Sequence, residues 1–110
     1  MFSSTEALDG ENHGVEVLAI ETVPKYLLVR LRATAAGSEE ATVSALVRAP
    51  AAIRDDAGLP LNYVQAASFG SGPFAGMLDL AFQWDPEFLV DGPIHLEISD
   101  IRLSFRRAQR

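Results

Sequence analysis

The chain contains no cysteine. That excludes disulfides, thiolate nucleophiles and the thiolate-based structural zinc sites. No apolar run approaches the roughly 18 residues that would cross a bilayer as a helix, so membrane insertion is not expected. The opening "MFSSTEALDGENHG" has neither the basic region nor the apolar run of a signal peptide, and the compartment stays open. Residues 1–21 carry Glu6, Asp9, Glu11, Glu16 and Glu21 but no lysine or arginine. The net charge of −6 opposes nucleic-acid binding, which needs clustered cations for the phosphates. Arg102, Arg106, Arg107 and Arg110 gather at the other end, where a solvated basic tail or partial pairing with the acidic start is expected.

What is present suffices for one core. A chain of 110 residues with 48% hydrophobic and 22% charged positions has the composition of a single globular domain. Residues 1–13 lack periodicity and read as a flexible leader, residues 14–105 as a β-domain, and residues 106–110 as a basic tail.

From Gly14 onward the dominant period is two. In "KYLLVRLRAT", Leu27, Val29, Leu31 and Ala33 share one face, opposite Leu28, Arg30 and Arg32. "VEVLAIETV" before it is β-rich, and Pro24-Lys25 separates the two as a turn. "ATVSALVR" also alternates, and a run of about eight residues ending at Ala49-Pro50 is short for a helix, so a strand is expected. "AAIRDDAGLPLNYV" reads as two short strands around a turn at Asp55-Asp56-Ala57-Gly58. In "MLDLAFQW", Leu78, Leu80, Phe82 and Trp84 face inward, and Asp85-Pro86 ends the strand. "PEFLVDGP" reads as a loop capping one end of the core. "IHLEISDIRLSF" holds two alternations out of phase, which predicts a bulge at Ser99-Asp100. About seven strands and no long helix predict an all-β fold, an immunoglobulin-like antiparallel β-sandwich. If first and last strands lie together, Glu16 and Glu21 approach Arg102 and Arg106.

Few residues carry chemistry. "FGSGPFAG" at 69–76 spaces its glycines one position too widely for a dinucleotide loop, contains Pro73, and is followed by a strand pattern rather than a helix. It reads as a turn. His95, Glu97 and Ser99 share one strand face, yet residues two apart stand nearly 7 Å apart and do not make a triad by themselves. His13 lies in the leader. Asp55, Asp56, Asp85, Glu87 and Asp91 cluster in two turns whose oxygens would suit calcium if the turns met, although aspartate also stabilises turns locally. No catalytic, cofactor-binding or metal-ligating residue is assigned, and no cofactor is expected. Leu28, Leu46, Phe88, Leu89 and Val90 are apolar at positions the pattern assigns to solvent or loop, and they form the candidate interaction surface.

The stretch "IRDDAGLPL … LDLAFQWDPEFLVDGPIHLEISDI" pairs a hairpin turn with a strand ending near proline and a last strand of the form L-x-I-x-x-I. In this it resembles the immunoglobulin-like extracytoplasmic β-sandwich modules of bacterial membrane-anchored proteins, including some anti-sigma factors, over residues 14–105. The resemblance implies a binding or sensing role and an extracytoplasmic location, and transfers no catalytic residue. The expected function is a non-catalytic binding or protein-interaction module, acting on a protein partner or self-associating through an apolar sheet face. The alternative is a small ligand-binding protein or enzyme with its site in clustered loops.

Overall fold

In a computed structural model of the chain, residues 3–8, 14–34, 37–69 and 75–108 are described. Nine antiparallel strands form one continuous sheet. In chain order they are β1 (Ser3–Ala7), β2 (Val15–Val23), β3 (Tyr26–Ala33), β4 (Ala51–Asp55), β5 (Pro60–Leu61), β6 (Tyr63–Phe69), β7 (Met77–Gln83), β8 (Ile94–Ile98) and β9 (Ile101–Arg107), with one helix, α1 (Glu39–Leu46), between β3 and β4. The all-β, antiparallel expectation holds. Among the described residues there are nine strands rather than about seven.

The sheet runs β5-β4-β8-β9-β1-β2-β3-β7-β6. Two segments bend it round on itself. β1 pairs with β2 through Ser3 and Ser4, then with β9 through Thr5, Glu6 and Ala7. At the opposite side, β5 pairs with β4 through Pro60 and Leu61, while β6 pairs with β7 from Tyr63 onward. Only Asn62 separates β5 from β6, and its carbonyl accepts the Gln83 amide at 2.8 Å. One extended segment, 60–69, thus joins the two ends of the sheet and gives it a barrel-like form.

The inward residues are those that period two selects. Leu27, Val29, Leu31 and Ala33 of β3, and Leu78, Leu80 and Phe82 of β7, are buried. Ile53, Ile94, Leu96, Ile98, Leu103 and Phe105 supply the facing side. Burying each such side chain contributes roughly 1.5–3 kcal/mol, which is what offsets the ordering of the chain. Trp84, expected inward, lies just past β7 and is half-buried.

The ends of the barrel are closed differently. Between β3 and β4 the chain crosses one end as α1, with Val43 and Leu46 buried. This corrects the expected strand over "ATVSALVR". Val43 and Leu46 stand three apart, so a helix turns both toward the core, and Glu39 and Glu40 in the first turn suit the positive end of the helix dipole. Between β7 and β8 the loop 84–93 crosses the other end and buries Phe88 at 3% exposure, with Val90 packed against the core, as a cap should.

Three further expectations are corrected. Ser3–Ala7, placed in a flexible leader, form β1, because β2 and β9 each offer it an edge to pair with. Arg106 and Arg107, placed in a basic tail, belong to β9 and pair with Glu6 and Thr5. The phase change at Ser99-Asp100 is a hairpin turn rather than a bulge: Ile98 and Ile101 face each other across two residues, and Ser99 has φ 55°. Reversing direction across a two-residue turn returns both isoleucines to the inner face. Residues 70–74 of the glycine-rich stretch, and His13, lie outside the described residues.

Candidate functional site

The end closed by loop 84–93 gathers the chain's less ordinary side chains. Asp55 ends β4 and is 1% exposed. Its Oδ1 accepts the amides of Ala57 at 3.0 Å and Leu59 at 2.8 Å, and its Oδ2 accepts the amide of Leu89 at 2.9 Å. The carboxyl is held below its ordinary range, chiefly by the Leu89 amide; burial opposes the shift, and the amides of Leu59, Ala57 and Gly58 add to it. One buried carboxylate therefore ties the β4–β5 turn to the capping loop. The turn has the expected form, with the Gly58 amide donating to the Asp55 carbonyl and Gly58 at φ 91°.

The same end exposes apolar side chains. Among the described residues the exposed large hydrophobics are Leu8, Tyr26, Val64 and Leu89. The registers Tyr26↔Gln83, Tyr63↔Phe82 and Asp55↔Ile94 put the starts of β3, β6 and β8 beside the ends of β7 and β4. Tyr26, Val64 and Leu89 therefore share this end, whereas Leu8 follows β1 toward the helix end. Burial raises the pKa of Tyr63, whose ring lies 5.5 Å from Phe82.

A cleft of about 200 Å³ opens where β5 passes into β6, lined by Pro60, Leu61, Asn62, Gln83, Trp84, Asp85 and Pro86. Asn62 Nδ2 donates to Gln83 Oε1 at 3.3 Å, and Asp85 Oδ1 accepts the Glu87 amide at 2.9 Å. Trp84 meets Phe88 edge-on at 6.2 Å.

Around the side of the barrel lies a hydrogen-bonded row that residue spacing did not show. His95 Nδ1 is 2.9 Å from Ser104 Oγ, and Nε2 is 3.2 Å from Asp56 Oδ1. With the ring proton on Nε2, the imidazole donates to Asp56 and accepts from the serine hydroxyl. Of the trio considered from the sequence, Glu97 faces solvent with a loose 3.7 Å contact to Arg102, and Ser99 sits in the turn. Ser104 is the direct cross-strand partner of His95, and Asp56 arrives from the β4–β5 turn. The signal that could have found Ser104 is the hairpin: once the turn is set at Ser99-Asp100, residue 95 must oppose residue 104.

The candidate surface residues separate. Leu46 and Phe88 are buried at 4% and 3% exposure, so neither offers a surface; one anchors α1 and the other the capping loop. Leu28 is half-buried on the outer face of β3 opposite Ala81. Leu89 is 54% exposed and Val90 half-buried beside it. The turn carboxylates are engaged individually: Asp55 with amides, Asp56 with His95, Asp85 with the Glu87 amide, and Asp91 with Arg107. Among the described residues no group of three or more histidines or carboxylates converges on one point. β1 and β9 meet side by side, with Glu6 paired to Arg106, while Glu16 pairs with Arg32 instead. On the outer face of β3 and β7, Arg30 forks onto Asp79 at 2.8 and 3.0 Å, and that hydrogen bond is the main cause raising the arginine's pKa.

Compared with known proteins, the chain matches no family model, no curated sequence and no solved structure.

Proposed function

We propose that this domain is a non-catalytic binding module that meets a protein partner, or a second copy of itself, with the end of the barrel carrying loop 84–93. The observation that carries the reading is the placement of Tyr26, Val64 and Leu89 at one end, beside a loop fixed in position by Asp55. Exposed apolar side chains gathered on a rigid frame mark an interaction surface better than the same residues scattered singly. Most strands have neighbours on both sides, so loops and outer faces are what remains to offer a partner. The kinship with immunoglobulin-like extracytoplasmic modules belongs to the same proposal.

Size-exclusion chromatography with light scattering tests the self-association arm. Association that weakens in Leu89→Asp supports the reading. A monomer at every concentration, together with no partner retained selectively by wild type over Leu89→Asp, removes it.

The row Ser104–His95–Asp56 favours a second reading, a small hydrolase with Ser104 as nucleophile, His95 as base and Asp56 as its orienting acid. Asp56 is 62% exposed, so water screens its charge and weakens its hold on the ring, and for that reason the binding reading stands first. A fluorophosphonate adduct on wild type that is lost in Ser104→Ala would reverse the order.

A further inference from the structure

The cleft at the strand crossing brings the polar side chains of Asn62, Gln83 and Asp85 together with Leu61, Trp84 and two prolines. We propose that it binds one pyranose ring, free or as a unit of a glycan, with Trp84 flanking the ring and Asn62, Gln83 and Asp85 taking its hydroxyls. The inference goes beyond the protein-binding reading and adds a small-molecule ligand at the same end of the barrel.

A pyranose presents an apolar C–H face and a rim of hydroxyls, each able to donate and to accept. Its complement is one aromatic flank, planar amides carrying both donors and acceptors, and a carboxylate. The cleft holds all three. Asn62 Nδ2 donates to Gln83 Oε1, which leaves Asn62 Oδ1 as acceptor and Gln83 Nε2 as donor toward a ligand. The Glu87 amide occupies Asp85 Oδ1, which orients the carboxylate and leaves Oδ2 to accept.

The backbone that carries these groups is pinned before any ligand arrives. The Asn62 carbonyl accepts the Gln83 amide at 2.8 Å, and the Trp84 amide donates to the Lys25 carbonyl at 2.9 Å. Pro60 and Pro86, with their fixed φ, form stiff flanks. Such preorganisation lowers the ordering cost of binding a small ligand. The volume, about 200 Å³, accommodates one ring rather than an oligosaccharide, so further sugar units would project into solvent.

Trp84 is the only tryptophan of the chain, so its emission reports on the cleft and the Phe88 contact beside it. The experiment titrates the full chain with a panel of methyl pyranosides (gluco, galacto, manno and N-acetylglucosaminide) and with the corresponding trisaccharides. Saturation-transfer NMR of each sugar is the second readout. The expected result is a saturable change in emission by at least one pyranoside, with Kd of about 1 mM, the range a ligand of that size reaches. Asn62→Ala and Asp85→Ala, both outside the core, are each expected to weaken binding about tenfold, with thermal melts showing that both fold. A trisaccharide much tighter than its monosaccharide identifies a glycan chain as the source; equal affinities identify the free sugar. No saturable change and no saturation transfer across the panel overturns the proposal, as does binding indifferent to both substitutions. Either failure leaves the self-association test above to decide the binding-module reading independently.

Discussion

The amide of Leu89 donates to Oδ2 of Asp55 at 2.9 Å across 34 positions of sequence. Through that bond a carboxylate at the end of β4 positions the loop that carries the exposed apolar end of the barrel. The same carboxylate shapes its own turn through the amides of Ala57 and Leu59. One residue is thus both a turn former and a tertiary clasp.

The clasp has a pH signature. The carboxyl of Asp55 lies below its ordinary range when folded and near 3.9 when unfolded. Its contribution is therefore complete above about pH 4 and is lost as pH falls through the lower, folded value. Thermal melts between neutral pH and about pH 2 are expected to show the Asp55→Asn protein melting below wild type at neutral pH and converging on it in acid. Parallel curves throughout would show that the Leu89 and Leu59 amides do not depend on the charge.

Leu46 and Leu89 are expected to behave as opposites. Leu46 is a buried anchor of α1, and Leu46→Ala should cost about 2–4 kcal/mol in urea unfolding through the cavity it leaves. Leu89 faces solvent, and Leu89→Ala should change stability by less than about 0.5 kcal/mol while weakening any association seen by light scattering.

Two positive-φ positions are expected to respond with opposite sign. Ser99 holds φ 55° at the first position of the β8–β9 turn, and Ser99→Gly should gain about 0.5–1 kcal/mol, strain relief less the added chain entropy. Gly76 holds φ 85°, and a Cβ there would stand 3.0 Å from Cβ of Glu39 on α1. Gly76→Ala should cost about 2 kcal/mol, because the backbone strain and the steric conflict add. Denaturant melts of the two single variants decide both signs.

The ion pairs are expected to differ with their setting. Arg30 and Asp79 hold a two-pronged bond with side chains 28% and 18% exposed, whereas Arg102 and Glu97 are 83% and 54% exposed and 3.7 Å apart. A double-mutant cycle should return about 0.5–1 kcal/mol for the first pair and nothing measurable for the second. Molar salt should reduce the first value, since both side chains still touch water.

Period two in residues 27–33 and 78–84 was enough to identify β3 and β7, and the order of apolar positions chose their inner faces. Pro24-Lys25 and Asp55–Gly58 marked their turns by local chemistry alone, and the apolar loop after Pro86 announced a cap. α1 was not legible, since alanine, valine, serine and threonine at 41–45 suit either period over so short a run. β1 was not legible either, because "SSTEA" has no apolar face and is ordered only by the two edges that receive it.

The candidate sites divide in the same way. Asp55 could be seen as a turn residue but not as a clasp, and Ser104 could not be matched to His95 until the hairpin fixed which residues oppose each other. By itself the sequence determined the strands and inner faces of β3 and β7 and the turns at Pro24-Lys25 and Asp55–Gly58, because each depends on neighbours within a few residues. Only the tertiary structure decided how the sheet comes round on itself, that Leu46 and Phe88 are buried, and which polar groups meet. Those outcomes depend on contacts between residues tens of positions apart, and no local preference encodes them.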